Sequence, residues 1–213
     1  MAVEAHVEQP YARFRGRRRG ATVGGMTVEV LPATGRWDDF AELLVPQKPG
    51  ASACMCMSYR DARLDMPGRI AHMQSECAQE PGPGVLAYVD GVVAGWCSVA
   101  PKASYRRLLG SRTIPHLDED RDLWSIVCFV VRVGYRRRGL MHQLLDAAVA
   151  HARDAGAELI EGYPVETAGT KVDLMSGYVG TTQLFEEHGF ERMLVTSAHS
   201  GGRERWLMRR ALA

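Results

Sequence analysis

A chain of 213 residues with a formal net charge of +1 and 24% charged residues holds one domain, or one domain with an extension. Near-neutrality gives no general electrostatic reason to expect a nucleic acid or a membrane surface as partner. No apolar run approaches the roughly 20 residues that a spanning helix needs.

Residues 1–25 carry Arg13, Arg15, Arg17, Arg18 and Arg19 with no hydrophobic period. They read as a disordered basic extension, with a nucleic-acid or acidic-partner arm and a later translation start at Met26 as alternatives. The start lacks the apolar core of a secretory leader, so a cytoplasmic location is expected. The folded domain is then 26–213. Met26 to Leu31 alternates as a first strand, and Trp37, Phe40, Leu43 and Leu44 mark a helix. Tyr59 to Gln79 is polar-helical, with an interruption expected at Pro67-Gly68. Asp90-Gly91 joins Val85–Val89 to Val92–Val99 as a hairpin. The charged stretch 101–122 reads as a surface loop, or as a lid that recruits substrate.

Trp124 to Val131 is apolar on both alternating faces, Ile126, Cys128 and Val130 on one and Val127, Phe129 and Val131 on the other. Such a strand belongs in the middle of a covered sheet. Tyr135-Arg136-Arg137-Arg138-Gly139 follows, and then a helix whose Leu140, Leu144 and Ala148 share one buried face, ending at Gly156. A strand feeding a glycine-bearing turn and a helix start gathers unpaired N–H groups and the positive end of the helix dipole, which suits a phosphate. Beyond it, Glu158 to Pro164 is a short strand that stops at its proline, residues 165–180 are loop, and a helix near Thr182–His188 precedes two strands, Phe190–Val195 and Arg205–Met208.

The run from Val131 to Leu140 resembles the acetyl-CoA-binding segment of the GNAT superfamily of N-acetyltransferases, Gln/Arg-x-x-Gly-x-Gly/Ala, with Arg136 and Gly139 at its first two fixed positions. Met141 departs from its third. Thr182 to Phe190 resembles that family's later helix and Gly-Phe ending, and Glu161-Gly162-Tyr163-Pro164-Val165 is similar to a bacterial subgroup without assigned substrates. The resemblance implies an α/β (α+β) fold with a mixed, mostly antiparallel sheet splayed around acetyl-CoA. It implies acetyl transfer to a primary amine by direct attack in a ternary complex. Phe129, Val130 and Val131 would hold the acetyl carbonyl and pantetheine arm, and Arg136, Arg137, Arg138, Gly139, Leu140 and Met141 the diphosphate.

Amine acetylation also needs a base and benefits from an acid for the leaving thiolate. Glu161, at the end of the strand expected beside Trp124–Val131, is the preferred base, ahead of Glu166 and Glu119. Where many relatives of this fold carry a tyrosine, this chain has Phe185, so Tyr178 and Tyr163 are the candidate acids. A catalytically inactive acetyl-CoA-binding regulator is the rival reading. The expected partner is a small-molecule or peptide amine, with a homodimer allowed and neither nucleic acid nor membrane. Cys54, Cys56, Cys77, Cys97 and Cys128 read as reduced thiols; their spacing makes no zinc pattern, and no metal is expected. Trp37, Trp96, Trp124 and Trp206 read as core or pocket wall.

Overall fold

The computed structural model describes residues 21–23, 25–117, 122–167, 169 and 177–212. The arginine-rich stretch lies outside them. Within the 25 residues expected to be an extension, Ala21–Val23 is a strand (β1) joined to β2 (Met26–Pro32) through Gly25 at φ +83°. The sheet therefore begins ahead of Met26.

Helices α1 (Trp37–Leu44) and α2 (Met66–Cys77) follow. Pro67-Gly68 does not interrupt α2 but opens it. Asp65 caps the helix by accepting from the Gly68 N–H at 2.9 Å, and proline is tolerated in the first turn, where its missing N–H has no partner to lose. The hairpin β3 (Gly84–Val89) and β4 (Val92–Pro101) turns at Asp90 and Gly91, both at positive φ. Then come a 3-10 turn (Lys102–Ser104), a short α3 (Arg106–Leu109), β5 (Leu123–Val131), α4 (Leu140–Asp154) and β6 (Leu159–Gly162). Helix α5 (Thr182–Glu187) and the long strands β7 (Glu191–Ser200) and β8 (Arg203–Ala211) complete the described elements.

The eight strands form one sheet in the order β1-β2-β3-β4-β5-β6-β8-β7. Every pairing is antiparallel except β5 with β6, which α4 connects as a crossover. One face packs on α4 through Leu144, Leu145, Ala148 and Val149, against Val85, Ala87, Ile126 and Phe129. The other face carries α1 and α2 through Phe40, Met73 and Cys77 on Leu86 and Trp96. A third core lies under the 102–114 segment, with Tyr105, Leu108 and Ile114 buried against Val127, Tyr163 and Leu207. That segment is thus packed structure rather than a surface loop. All five cysteines are free thiols.

Candidate acyl-transfer site

The middle of β5 is where the sheet opens. Ile126 pairs with Val99 and Cys128 with Ser98, so Val127 is an extra residue, a β-bulge. The bulge reverses the alternation expected for this strand: Trp124, Ile126 and Phe129 face α4 together, and Val127 faces the third core. Pairing with β6 ends at the same level, Ile126 opposite Gly162. Past that point β5 continues along β4 to Val131, while the other chain leaves through Tyr163 and Pro164.

The backbone groups of the open edge are only partly free. The Arg132 N–H donates to the Ala94 carbonyl at 2.9 Å, which by alternation turns the Val130 amide to β4 and those of Phe129 and Val131 to the opening. The Phe129 N–H donates to the Tyr178 carbonyl at 2.7 Å, and Arg136 Nε donates to the Val131 carbonyl at 3.0 Å. Of the three amides expected to line the opening, Val130 is turned away and Phe129 is occupied. Val131 keeps the orientation that a ligand amide needs.

The turn after β5 is open. Gly134, Arg137 and Gly139 all have positive φ, and a Cβ built on Gly139 would meet nothing within 4 Å. No side chain caps α4, whose 15 residues put the positive dipole end at this turn. Arg136, Arg137, Arg138 and Gly139 are exposed. The side chains of Leu140 and Met141 lean on the main core, leaving their amides to face outward. Met141 therefore does not narrow the turn. An uncapped helix start with exposed guanidinium groups and an open left-handed glycine fits a diphosphate.

The acidic end is closed. Glu161 has no exposed surface. Its Oε1 forms an ion pair with Lys102 Nζ at 2.5 Å and accepts from the Tyr163 hydroxyl and from Ser125 Oγ at 3.5 Å; its Oε2 accepts from Arg209 Nε at 2.9 Å. Burial, and then the charge of Glu161, push the Tyr163 phenol well above its ordinary range, so it stays a donor to that carboxylate. Neither residue is turned to the opening. Glu166 is likewise engaged, with Thr182 Oγ1 and with Arg192 Nη1 at 2.5 Å, and Glu119 lies outside the described residues. Tyr178 is the candidate acid that the backbone brings to the bulge. Phe185 is fully buried, packed edge-on against Phe129 and Phe190 and over Gly162, where its ring leaves no room for a Cβ. Lys102 and Arg209 escaped the sequence reading, since a lysine in a charged stretch and an arginine near a strand end both read as solvated.

Residues 37–168, more than half of the chain, match the model of the Acetyltransferase (GNAT) family. The chain belongs to that family. Its fold is that of solved GNAT structures. A GNAT-family acetyltransferase from Streptococcus pneumoniae aligns at TM-score 0.53 and 15% identity, over 87% of this chain and 99% of that one. An uncharacterized protein from Bacillus halodurans aligns at TM-score 0.54 and 12% identity, over 91% and 90%. No curated protein matches the chain. This GNAT protein is an acyltransferase with acetyl-CoA as co-substrate, and the open turn before α4 is the feature of its own chain that fits that molecule's diphosphate.

Proposed function

We propose that the protein transfers the acetyl group of acetyl-CoA to a primary amine of a small-molecule or peptide acceptor, by direct attack in a ternary complex. The observation that carries this reading is the coincidence of three features on one strand. Val127 bulges, β6 parts from β5 at the same level, and the strand then runs into the uncapped start of α4. The amides of Leu140 and Met141, with Arg136, Arg137 and Arg138, hold the diphosphate; the Val131 N–H takes the pantetheine arm. Acetyl-CoA supplies an activated thioester.

Both carboxylate oxygens of Glu161 are taken by buried cations. We therefore assign Glu161 to positioning β6 against β8, and the proton of the attacking amine to solvent water. Tyr178, whose carbonyl holds the Phe129 amide, is assigned as donor to the leaving thiolate. A thiol of reference pKa about 8.5 leaves acceptably even with weak assistance.

One observation favours the alternative, an acetyl-CoA-binding regulator without turnover: the Phe185 ring occupies the parting over Gly162. A thiol-release assay with acetyl-CoA across amines, polyamines, aminoglycosides and peptides decides between them. Amine-dependent thiol release is expected. Tight CoA binding with no release from any amine turns the reading to the regulator.

A further inference from the structure

Among the described residues four cations are buried, Arg60, Lys102, Arg205 and Arg209, against one buried carboxylate, Glu161. Lys102 and Arg209 share Glu161. Arg60 reaches the half-buried Glu76 at 2.9 Å and stacks over the Tyr105 ring. Arg205 is different: no carboxylate of the described residues meets it. Its Nε donates to the Tyr163 carbonyl at 2.8 Å, its Nη1 to the Tyr59 hydroxyl at 2.6 Å, and its Nη2 is buried with no partner. A guanidinium removed from water and met only by neutral acceptors is held at a cost that an anion would offset.

The position of this group matters. Arg205 lies about the rings of Tyr59 and Tyr163, 6.0 and 5.9 Å from their centroids. Tyr163 follows Gly162, the last residue of β6 to pair with β5, and shares a core with the bulged Val127. The guanidinium therefore sits beside the parting, on the face of the sheet away from α4. The Tyr59 hydroxyl accepts from Arg205, so its own proton is available to donate, and Tyr59 is only partly buried. Two neighbouring donors, with no acceptor among the described residues beyond those already used, describe an anion site.

We propose that the acceptor amine carries a carboxylate, received by Arg205 Nη2 and the Tyr59 hydroxyl, so that the substrates are amino acids or short peptides with a free carboxylate. The site holds the acceptor's acidic end while its amine reaches the bulge. This names the acceptor class for the transfer proposed above and rests on that reading.

The test uses the full chain and matched ligands: α-, β- and γ-amino acids, their carboxamides, and phosphonates of equal length. Calorimetric binding in the presence of CoA is read first, and thiol release from acetyl-CoA second. The carboxylates are expected to bind at least tenfold tighter than the carboxamides. Arg205→Gln is expected to erase that preference, Arg205→Lys to keep part of it, and Tyr59→Phe to reduce it several-fold, each with CoA affinity retained as evidence of folding. Should Arg205→Gln not fold, Tyr59→Phe carries the comparison. Equal binding of acid and amide, or tighter binding of the phosphonates, overturns the inference. Arginine-dependent carboxylate binding without thiol release would leave this site standing and remove the transfer reading. Thiol release indifferent to the carboxylate would do the reverse.

Discussion

Two groups of arginines in this molecule behave oppositely. Arg136, Arg137 and Arg138 stand exposed on a turn whose backbone is open, so their charges are screened by water and contribute little to folding. Arg205 and Arg209 are buried, Arg209 on the Glu161 carboxylate that Lys102 shares and Arg205 on the Tyr163 carbonyl and the Tyr59 hydroxyl. The first group is the one proposed to meet a ligand's anion. The second is part of the fold, and Arg205 keeps a buried donor, Nη2, with no partner. The contrast teaches that the same side chain is a binding group or a structural one according to who holds its counter-charge.

The largest effect is expected at Glu161. Glu161→Gln removes the carboxylate that Lys102 Nζ and Arg209 Nε share in the interior, and breaking one side of a buried ion cluster costs about 3–5 kcal/mol. Chemical denaturation should show a loss of that order, and the double substitution with Lys102→Met should recover part of it. A fully stable Glu161→Gln with strongly reduced turnover would instead place this carboxylate in the chemistry.

Gly139→Val ranks next and acts on the other region. At φ +74° a β-branched residue is strained, by about 1–2 kcal/mol, yet its side chain would touch nothing in the protein. Any loss of CoA affinity beyond that strain must come from the ligand's side. Calorimetry should show at least a tenfold weaker complex. Unchanged affinity would move the diphosphate away from this turn.

How much of this contrast was legible beforehand follows from where each signal resides. The open turn is local: a strand, glycines and arginines within a dozen residues, so its place before α4 was readable along with the fold class. The Val127 bulge was not, because it is a mismatch between β5 and a strand hairpinned far upstream. A strict period of two therefore put Phe129 on the wrong face. The Glu161 cluster was half legible. Its place near the end of β6 followed from the Glu158–Pro164 pattern, but Arg209 lies 48 residues away and Lys102 arrives on a segment whose charges suggested solvent. Local chain geometry was visible, and charge partnership was not.

A pH experiment sharpens the point at a third place, on α4 well past its open start. His151 packs edge-on to Trp124, with its Nε2 3.2 Å from the Gly82 carbonyl. Burial lowers its pKa from the ordinary 6.5, and the Gly82 bond opposes that only in part. With the folded value depressed, the unfolded chain takes up a proton that the folded one refuses. Stability is then complete above about pH 6.5 and falls as the pH drops through the folded value. Denaturation midpoints measured downward from pH 7 should decline, and His151→Gln should flatten that decline. A midpoint independent of the histidine would mean that water reaches the ring.

The smallest effect on folding, and the cleanest separation of the two regions, is expected at Arg137. Its backbone is left-handed, φ +60°, which costs a non-glycine residue roughly 1 kcal/mol. Arg137→Gly relieves that strain but gives the unfolded chain more freedom, worth about 0.5–1 kcal/mol in the opposite direction. Stability should therefore change by less than about 0.5 kcal/mol, since no buried partner is lost. CoA affinity should nonetheless drop several-fold at low ionic strength, and the gap from wild type should shrink as salt is added, because an exposed charge acts on a phosphate through screened attraction. A salt-independent loss would mean that Arg137 shapes the turn rather than charging it, and a loss of stability would place it with the buried arginines after all.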